Sequence, residues 1–284
     1  MVKALIATLI YLVGAPLVGG LLAGIDRRIT ARMQARFGPP ILQPFFDVAK
    51  LWIKETIVVR RSQNFYMVFF LLLAVFTGVL FYSGGDLLLM IFAMTLAGIF
   101  YALGAYKASS PYSAIGAQRE LIQMMAYEPM VLLVAIGMYM VTGSFRVGDI
   151  AGSGVAAILR LPAMFCGLVY VLTFKLRKSP FDLSQSHHAH QEIVRGMTTE
   201  FSGKTLALIE VAHWYENVII LGLVYLFFAP WPWLGVLAAL AAYFFEVLTD
   251  NVFARVKWQL ALSSSWIVAA VLGVGNTLVL ALVK

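Results

Sequence analysis

Apolar runs of about 20 residues recur along the whole chain, and that is the length a helix needs to cross a bilayer core. With 61% of residues hydrophobic and 12% charged, no soluble core could absorb so much apolar surface. The sequence therefore predicts an all-α polytopic membrane protein, organised as a single integral membrane domain over residues 1–284 and embedded in a lipid bilayer. About eight spans are expected, at 4–25, 65–82, 87–106, 121–141, 156–174, 205–228, 231–248 and 261–283. The first run is long enough to span and is followed by no small-residue cleavage site, so it reads as a span and not as a removable signal peptide.

Charge assigns the sides. Of the 21 Lys and Arg, all but Lys3, Arg146, Arg160 and Lys284 fall in the first, third, fifth and seventh loops, at 26–64, 107–120, 175–204 and 249–260. Basic residues accumulate on the cytoplasmic side of a membrane, so the odd-numbered loops are placed in the cytoplasm and both termini outside. The net charge of +7 is thereby a topology signal and not a nucleic-acid surface. Gly84 and Gly85, Gly143 and the run from Ala229 to Pro232 mark turns on the opposite side.

The one cysteine, Cys166, lies inside an apolar run. Iron-sulfur clusters and thiolate-held nickel or zinc need several cysteines, so this chain has no means of carrying a redox centre by itself.

A polar island at 179–203 interrupts the apolar pattern. It holds Ser179, Pro180 and Asp182, the cluster His187, His188 and His190, the acids Glu192 and Glu200, and a closing Gly203. Ser179 as N-cap, Pro180 in the first helical position and Asp182 in the first turn predict a short helix. Adjacent and i+2 histidines lack the i, i+4 spacing of a helical metal site. The cluster suits a protonation-sensitive or partner-contacting loop better.

In the first loop, Gly38, Pro39 and Pro40 stop any helix. Pro44 opens a second one, with Phe45, Val48, Ala49 and Trp52 on one face and Asp47, Lys50 and Lys54 on the other, the pattern of an amphipathic helix lying in the membrane plane. The alternative, a basic loop that only sets topology, accounts for the arginines but not for the apolar stripe.

Glu120, Glu128, Glu210, Glu216 and Glu246 fall within or at the edges of predicted spans, with His213 between two of them. A lone acid near a helix centre costs on the order of 2.5 to 3.5 kcal/mol even on a lenient scale, so these groups must be protonated, paired or wetted. Glu128 lies about 12 Å deeper than Glu120, and Glu210, His213 and Glu216 step along one helix at intervals that let neighbours couple. Such a series fits a proton pathway. Helix-packing hydrogen bonds and ion pairs with Arg119 or Lys204 would account for one or two of the acids.

The stretches ARMQARFGPPILQPFFDVAKLWIKE, SSPYSAIGAQRELIQMMAYEP and KSPFDL followed by TTEFSG resemble the signature segments of the subunit-1 family of respiratory complex I, the membrane subunit of the NADH-quinone oxidoreductases. Within that family the sequence is closer to the energy-converting, Ech-type membrane-bound hydrogenases. GPPILQP stands where the quinone branch has a longer insertion, and SQSHHAHQEIVRGM replaces its glutamate-rich run. The resemblance implies a proton- or sodium-pumping complex of a prokaryotic cytoplasmic (inner) membrane, in which ferredoxin oxidation drives hydrogen formation at a [NiFe] centre. That centre and the iron-sulfur clusters would sit in the hydrogenase large and small subunits and the iron-sulfur subunits, with an antiporter-like membrane subunit alongside. It further implies that Arg32, Arg36, Asp47, Lys50, Asp182, His187, His188, His190, Glu192 and Glu200 contact the peripheral arm. Two other readings stay open at this point: a quinone-binding subunit of a complex I-like enzyme, and a self-contained secondary transporter. No internal repeat of the kind such transporters carry is evident.

Overall fold

The computed structural model describes residues 2–57, 62–181, 184 and 195–283. The helices are α1 Val2–Met33, α2 Gln43–Ile53, α3 Ser62–Tyr82, α4 Leu87–Tyr106, α5 Pro111–Thr142, α6 Val147–Gly152, α7 Ala157–Arg160, α8 Pro162–Lys175, α9 Gly203–Leu226, α10 Pro232–Val252, α11 Trp258–Val268 and α12 Gly275–Val283. A π-helical segment, Ala269–Val274, joins the last two. Seven helical runs among the described residues are long and apolar enough to cross a membrane, and α8 is a shorter apolar helix.

The expected fifth span is broken. Leu161 leaves helical geometry at φ −124° and ψ 41°, as a residue before proline is driven to do. The 14 residues of α8 then cover only about 21 Å. Two other helices outrun their apolar stretches. α1 continues through the arginine-rich segment to Met33, and α5 begins at Pro111, with Ser110 as N-cap, ten residues ahead of the predicted span.

On the side opposite the basic loops, the turns close on one another. Asp86 caps α4 by accepting from the Leu89 amide at 3.0 Å, and the amides of Leu87 and Val147 bond to Phe145 and Gly85 at 2.9 and 2.8 Å. α5 ends at Gly143, whose φ of +78° is the left-handed closing geometry that glycine adopts without strain.

Helix α9 is the hub. It packs against α1, α2, α3 and α10, while α5 joins α4, α8 and α11. α2 is the amphipathic helix anticipated from Pro44. Pro44, Phe45, Val48 and Leu51 are buried or half-buried, and Phe45 meets Trp214 at 5.2 Å between ring centroids. Ala49 and Trp52, both expected on that face, are exposed, as are Phe46 and Ile53. α2 therefore carries apolar groups on two sides, one seated on the helix bundle and one open.

The first and fifth loops meet. Ser202 Oγ accepts from the Ile57 amide at 2.9 Å and donates to its carbonyl at 3.0 Å, and the Lys204 amide donates to Thr56 Oγ1 at 3.2 Å. Gly203 makes this junction possible. Its φ is +52°, and a Cβ there would lie 2.7 Å from the Glu55 carbonyl oxygen.

Candidate functional site

The site grows from the end of α8. Ser179 and Pro180 form a turn linked by a cis peptide bond, not the helix start that the sequence suggested. The Ser179 amide donates to Asp250 Oδ1 at 2.9 Å, so this segment is tied to α10 instead of opening a helix of its own. Of that predicted helix, Asp182 lies outside the described residues.

Three cations, Lys175, Arg177 and Lys178, leave this junction, and all three are buried. Arg177 sits at φ +52°, an uncommon conformation for a non-glycine residue. Burying charged side chains demands paired partners, and each of the three has them.

Lys175 and Arg177 point into a central cluster. Lys175 Nζ lies 3.0 Å from Glu216 Oε1 and 3.4 Å from the Tyr127 hydroxyl. Arg177 donates from Nη2 to Glu120 Oε1 at 2.9 Å, and its Nη1 is 3.8 Å from Glu216 Oε2. The guanidinium also lies over the Tyr101 ring at 5.4 Å. With two cations and two carboxylates, the cluster is neutral when His213 is neutral.

His213 stands between opposing demands. Its Nδ1 is 2.9 Å from Arg177 Nη1 and 3.1 Å from Glu216 Oε2, and its Nε2 is 3.3 Å from the same Arg177 nitrogen. Without a proton Nδ1 accepts from the guanidinium; with one it donates to the carboxylate and leaves Nε2 as the acceptor. The position of a single proton thus decides whether Glu216 receives a hydrogen bond from the imidazole.

Lys178 turns the other way, into a second cluster. Its ammonium hydrogen-bonds Asp26 on α1 and lies 3.4 Å from Asp250 on α10. Burial alone would lower the lysine pKa, but the two aspartates outweigh it and hold the group above its ordinary value. Glu246, one turn before Asp250, is 1% exposed, and neither carboxyl oxygen has a partner in hydrogen-bond geometry among the described residues.

Three of the five acids singled out from sequence therefore fall into two nests. Glu120, His213 and Glu216 are brought together, whereas Glu246 joins Asp250 and Lys178. Glu210 is half-buried and acts on His213 electrostatically. Glu128 lies outside both nests, near Thr95 and within the field of Lys175, half-buried, with a buried Oε1 that has no hydrogen-bond partner among the described residues. The cations of the central cluster are Lys175 and Arg177, not the Arg119 or Lys204 considered from sequence. Reading the KLRK run as a topology signal hid them, although cations between an apolar helix and a polar island are candidates for either role.

Of the residues assigned to arm contact, Arg32, Arg36 and Lys50 are exposed, and Glu200 is half-buried. Asp47 bonds Arg27 at 2.6 Å and Gln43 at 2.8 Å. Burial raises its pKa, but these bonds and the charges of Arg27 and Lys50 more than reverse that and leave it below the usual carboxylate value. His187, His188, His190 and Glu192 lie outside the described residues. Among the described residues no three of His, Cys, Asp and Glu are grouped to hold a metal. The single Cys166 leaves the chain without the thiolate set that a [NiFe] or iron-sulfur centre requires.

Helices that cross a bilayer and enclose ion-paired, titratable side chains define a class: multi-pass membrane proteins with a polar core at one end of the bundle. The chain belongs to the NADH dehydrogenase family, the subunit-1 family of complex I, whose family model matches residues 5–281. It is 31% identical over 229 residues to hydrogenase-4 component C of Escherichia coli K12, covering 74% of this chain and 70% of that protein. With a subunit of the NADH-quinone oxidoreductase of Syntrophotalea carbinolica it shares 27% identity over 295 residues, 90% of this chain and 88% of the relative. In structure it is similar to a chain of the membrane-bound sulfane sulfur reductase, an archaeal respiratory membrane complex, with a TM-score of 0.84, 23% identity, and coverage of 96% and 99%. At that identity the likeness is one of fold. The protein is a membrane subunit of a complex I-like or hydrogenase-type complex.

Proposed function

We propose that this chain is the membrane subunit of a ferredoxin-dependent, energy-converting [NiFe] hydrogenase, docking the soluble redox arm and coupling its electron transfer to proton (or sodium) translocation. Its odd-numbered loops face the cytoplasm, where the hydrogenase large and small subunits and the iron-sulfur subunits dock, and an antiporter-like membrane subunit lies alongside. The metal centres belong to those partners. This chain's residues hold and move protons at Glu120, His213 and Glu216, with Glu128 deeper in the membrane and Glu210 beside them.

The observation that carries this reading is the attachment of the central cluster to the polar loop through Arg177. A displacement of the loop by a docked arm would pull on the guanidinium that neutralises Glu120 and bridges toward His213 and Glu216. Similarity to hydrogenase-4 component C and to formate hydrogenlyase subunit 4 of Escherichia coli K12, 28% identical over 230 residues, supports the hydrogenase branch.

Purification of the tagged chain from its native membrane tests the assignment. Co-elution with nickel and iron-sulfur subunits and ferredoxin-driven hydrogen formation are expected. Tightly bound quinone with quinone-inhibitor sensitivity would instead identify the quinone branch, and a lone chain active in vesicles would identify a transporter. Glu128→Gln should abolish ion translocation while leaving assembly and dye-linked hydrogenase activity. Translocation at the normal rate would remove Glu128 from the pathway.

A further inference from the structure

Glu246 is not explained by the central cluster. It lies in the α10 wall of the bundle, in a nest built by four elements. Asp250 and Tyr243 share its helix, Thr173 comes from α8, Lys178 comes from the junction, and Asp26 reaches the same ammonium from α1. The Thr173 hydroxyl is committed to the Tyr170 carbonyl, and the Lys178 ammonium to Asp26 and Asp250. The third N–H of the ammonium reaches neither Glu246 oxygen, and both oxygens are without a hydrogen-bond partner among the described residues.

Three carboxyl groups thus surround one ammonium. Paired with two aspartates, Lys178 is already over-compensated, and a third buried carboxylate with no hydrogen bond in place is left with a net desolvation cost. Beside the nest is a cavity of about 410 Å³ whose wall includes Gln34, Ser179, Asp250, Asn251 and Arg255. Asp250 belongs to both places. It lines the cavity and sits one helical turn from Glu246, the spacing at which side chains on one helix face are neighbours.

We propose that Glu246 is a second protonation site, distinct from the central cluster, which exchanges one proton with cytoplasmic water through Asp250 and the cavity beside it. Loading forms one O–H bond on Glu246 as one O–H bond of a hydronium ion in the cavity breaks, and unloading reverses this. The nest changes from three carboxylates around one ammonium to two. Because Lys178 adjoins Arg177 in the chain, a change in the pull on Lys178 is delivered to the residue that holds the central cluster. The site is therefore placed to tie proton loading at the cytoplasmic surface to the state of the Glu120, His213 and Glu216 group. The cytoplasmic side and the use of the proton rest on the function proposed above, whereas the protonation of Glu246 does not.

Infrared difference spectroscopy on the intact complex, in water and deuterium oxide, tests the site. A protonated-carboxyl C=O stretch that shifts in deuterium oxide is expected near neutral pH, absent in Glu246→Gln and present at an altered frequency in Glu246→Asp. The glutamine is isosteric with the neutral acid and keeps the nest assembled. Asp250→Asn should retain the band but slow its deuterium exchange. An unchanged band in Glu246→Gln overturns the proposal. So does translocation in Glu246→Gln at the wild-type rate, with central-cluster variants still inactive, an outcome that leaves the function proposed above standing.

Discussion

Arg177 Nη2 and Glu120 Oε1 meet at 2.9 Å across 57 residues of sequence, joining the turn after α8 to the first half of α5 in a place closed to water. Removing one partner of a buried pair typically costs about 3 to 5 kcal/mol, because the other charge is left without compensation. Arg177→Met should lower the thermal stability of the purified complex by an amount in that range. Arg177→Lys should recover part of it, since an ammonium replaces the charge but not the fork that reaches Glu120 and His213 together. Calorimetry of the three proteins, or the temperature at which subunits dissociate, measures the order.

The His213 imidazole stands between the Arg177 guanidinium and the Glu216 carboxylate. A glutamine offers an acceptor oxygen and a donor amide at once, so His213→Gln should satisfy Arg177 and Glu216 simultaneously. The expected outcome is an intact complex in which dye-linked redox activity persists and ion translocation per electron pair falls. A translocation ratio equal to wild type would show that the imidazole proton takes no part.

The helical spans were open to sequence reading because each depends on a local run of apolar side chains, and α2 announced itself through Pro44 and its stripe. The partners of the buried acids were not. Lys175, Arg177 and Lys178 stand 41, 57 and 152 residues from Glu216, Glu120 and Asp26, and no periodicity connects such pairs. Two identical dipeptides show the limit. Ser110 and Pro111 open a helix, while Ser179 and Pro180 form a turn. Both carry the helix-start chemistry. At the second, the Ser179 amide and the Lys178 ammonium are held by Asp250, 71 and 72 residues away, and that tertiary anchor overrides the local signal.

Lys178 gives the junction a defined pH window. Its pKa is held above the ordinary 10.5 by Asp26 and Asp250 against the opposing effect of burial. A base whose folded pKa is raised contributes stability that is complete below its unfolded value, about 10.4, and is lost as pH rises through the folded value. Lys178→Met should therefore destabilise the complex by a constant amount from mildly acidic to neutral pH. The gap from wild type should narrow only in strongly alkaline solution. Denaturation midpoints across that range measure it, and a gap that closes near neutrality would mean that the ammonium is not the anchor.

The contact between the first and fifth loops rests on Ser202 and Gly203. An alanine at 203 meets two penalties: about 1 to 2 kcal/mol for a left-handed backbone with a Cβ, and a methyl 2.7 Å from the Glu55 oxygen. Ser202→Ala loses one side-chain group that serves both polar groups of Ile57, at roughly 1 kcal/mol per bond. Gly203→Ala should therefore separate the loops more than Ser202→Ala does. If the paired loops form the platform for the soluble arm, both variants should lose arm subunits on gel filtration in that order, while the membrane part stays folded by circular dichroism. Full retention of the arm in Gly203→Ala would place the docking surface elsewhere, with the open side of α2 around Phe46, Trp52 and Ile53 as the next face to alter.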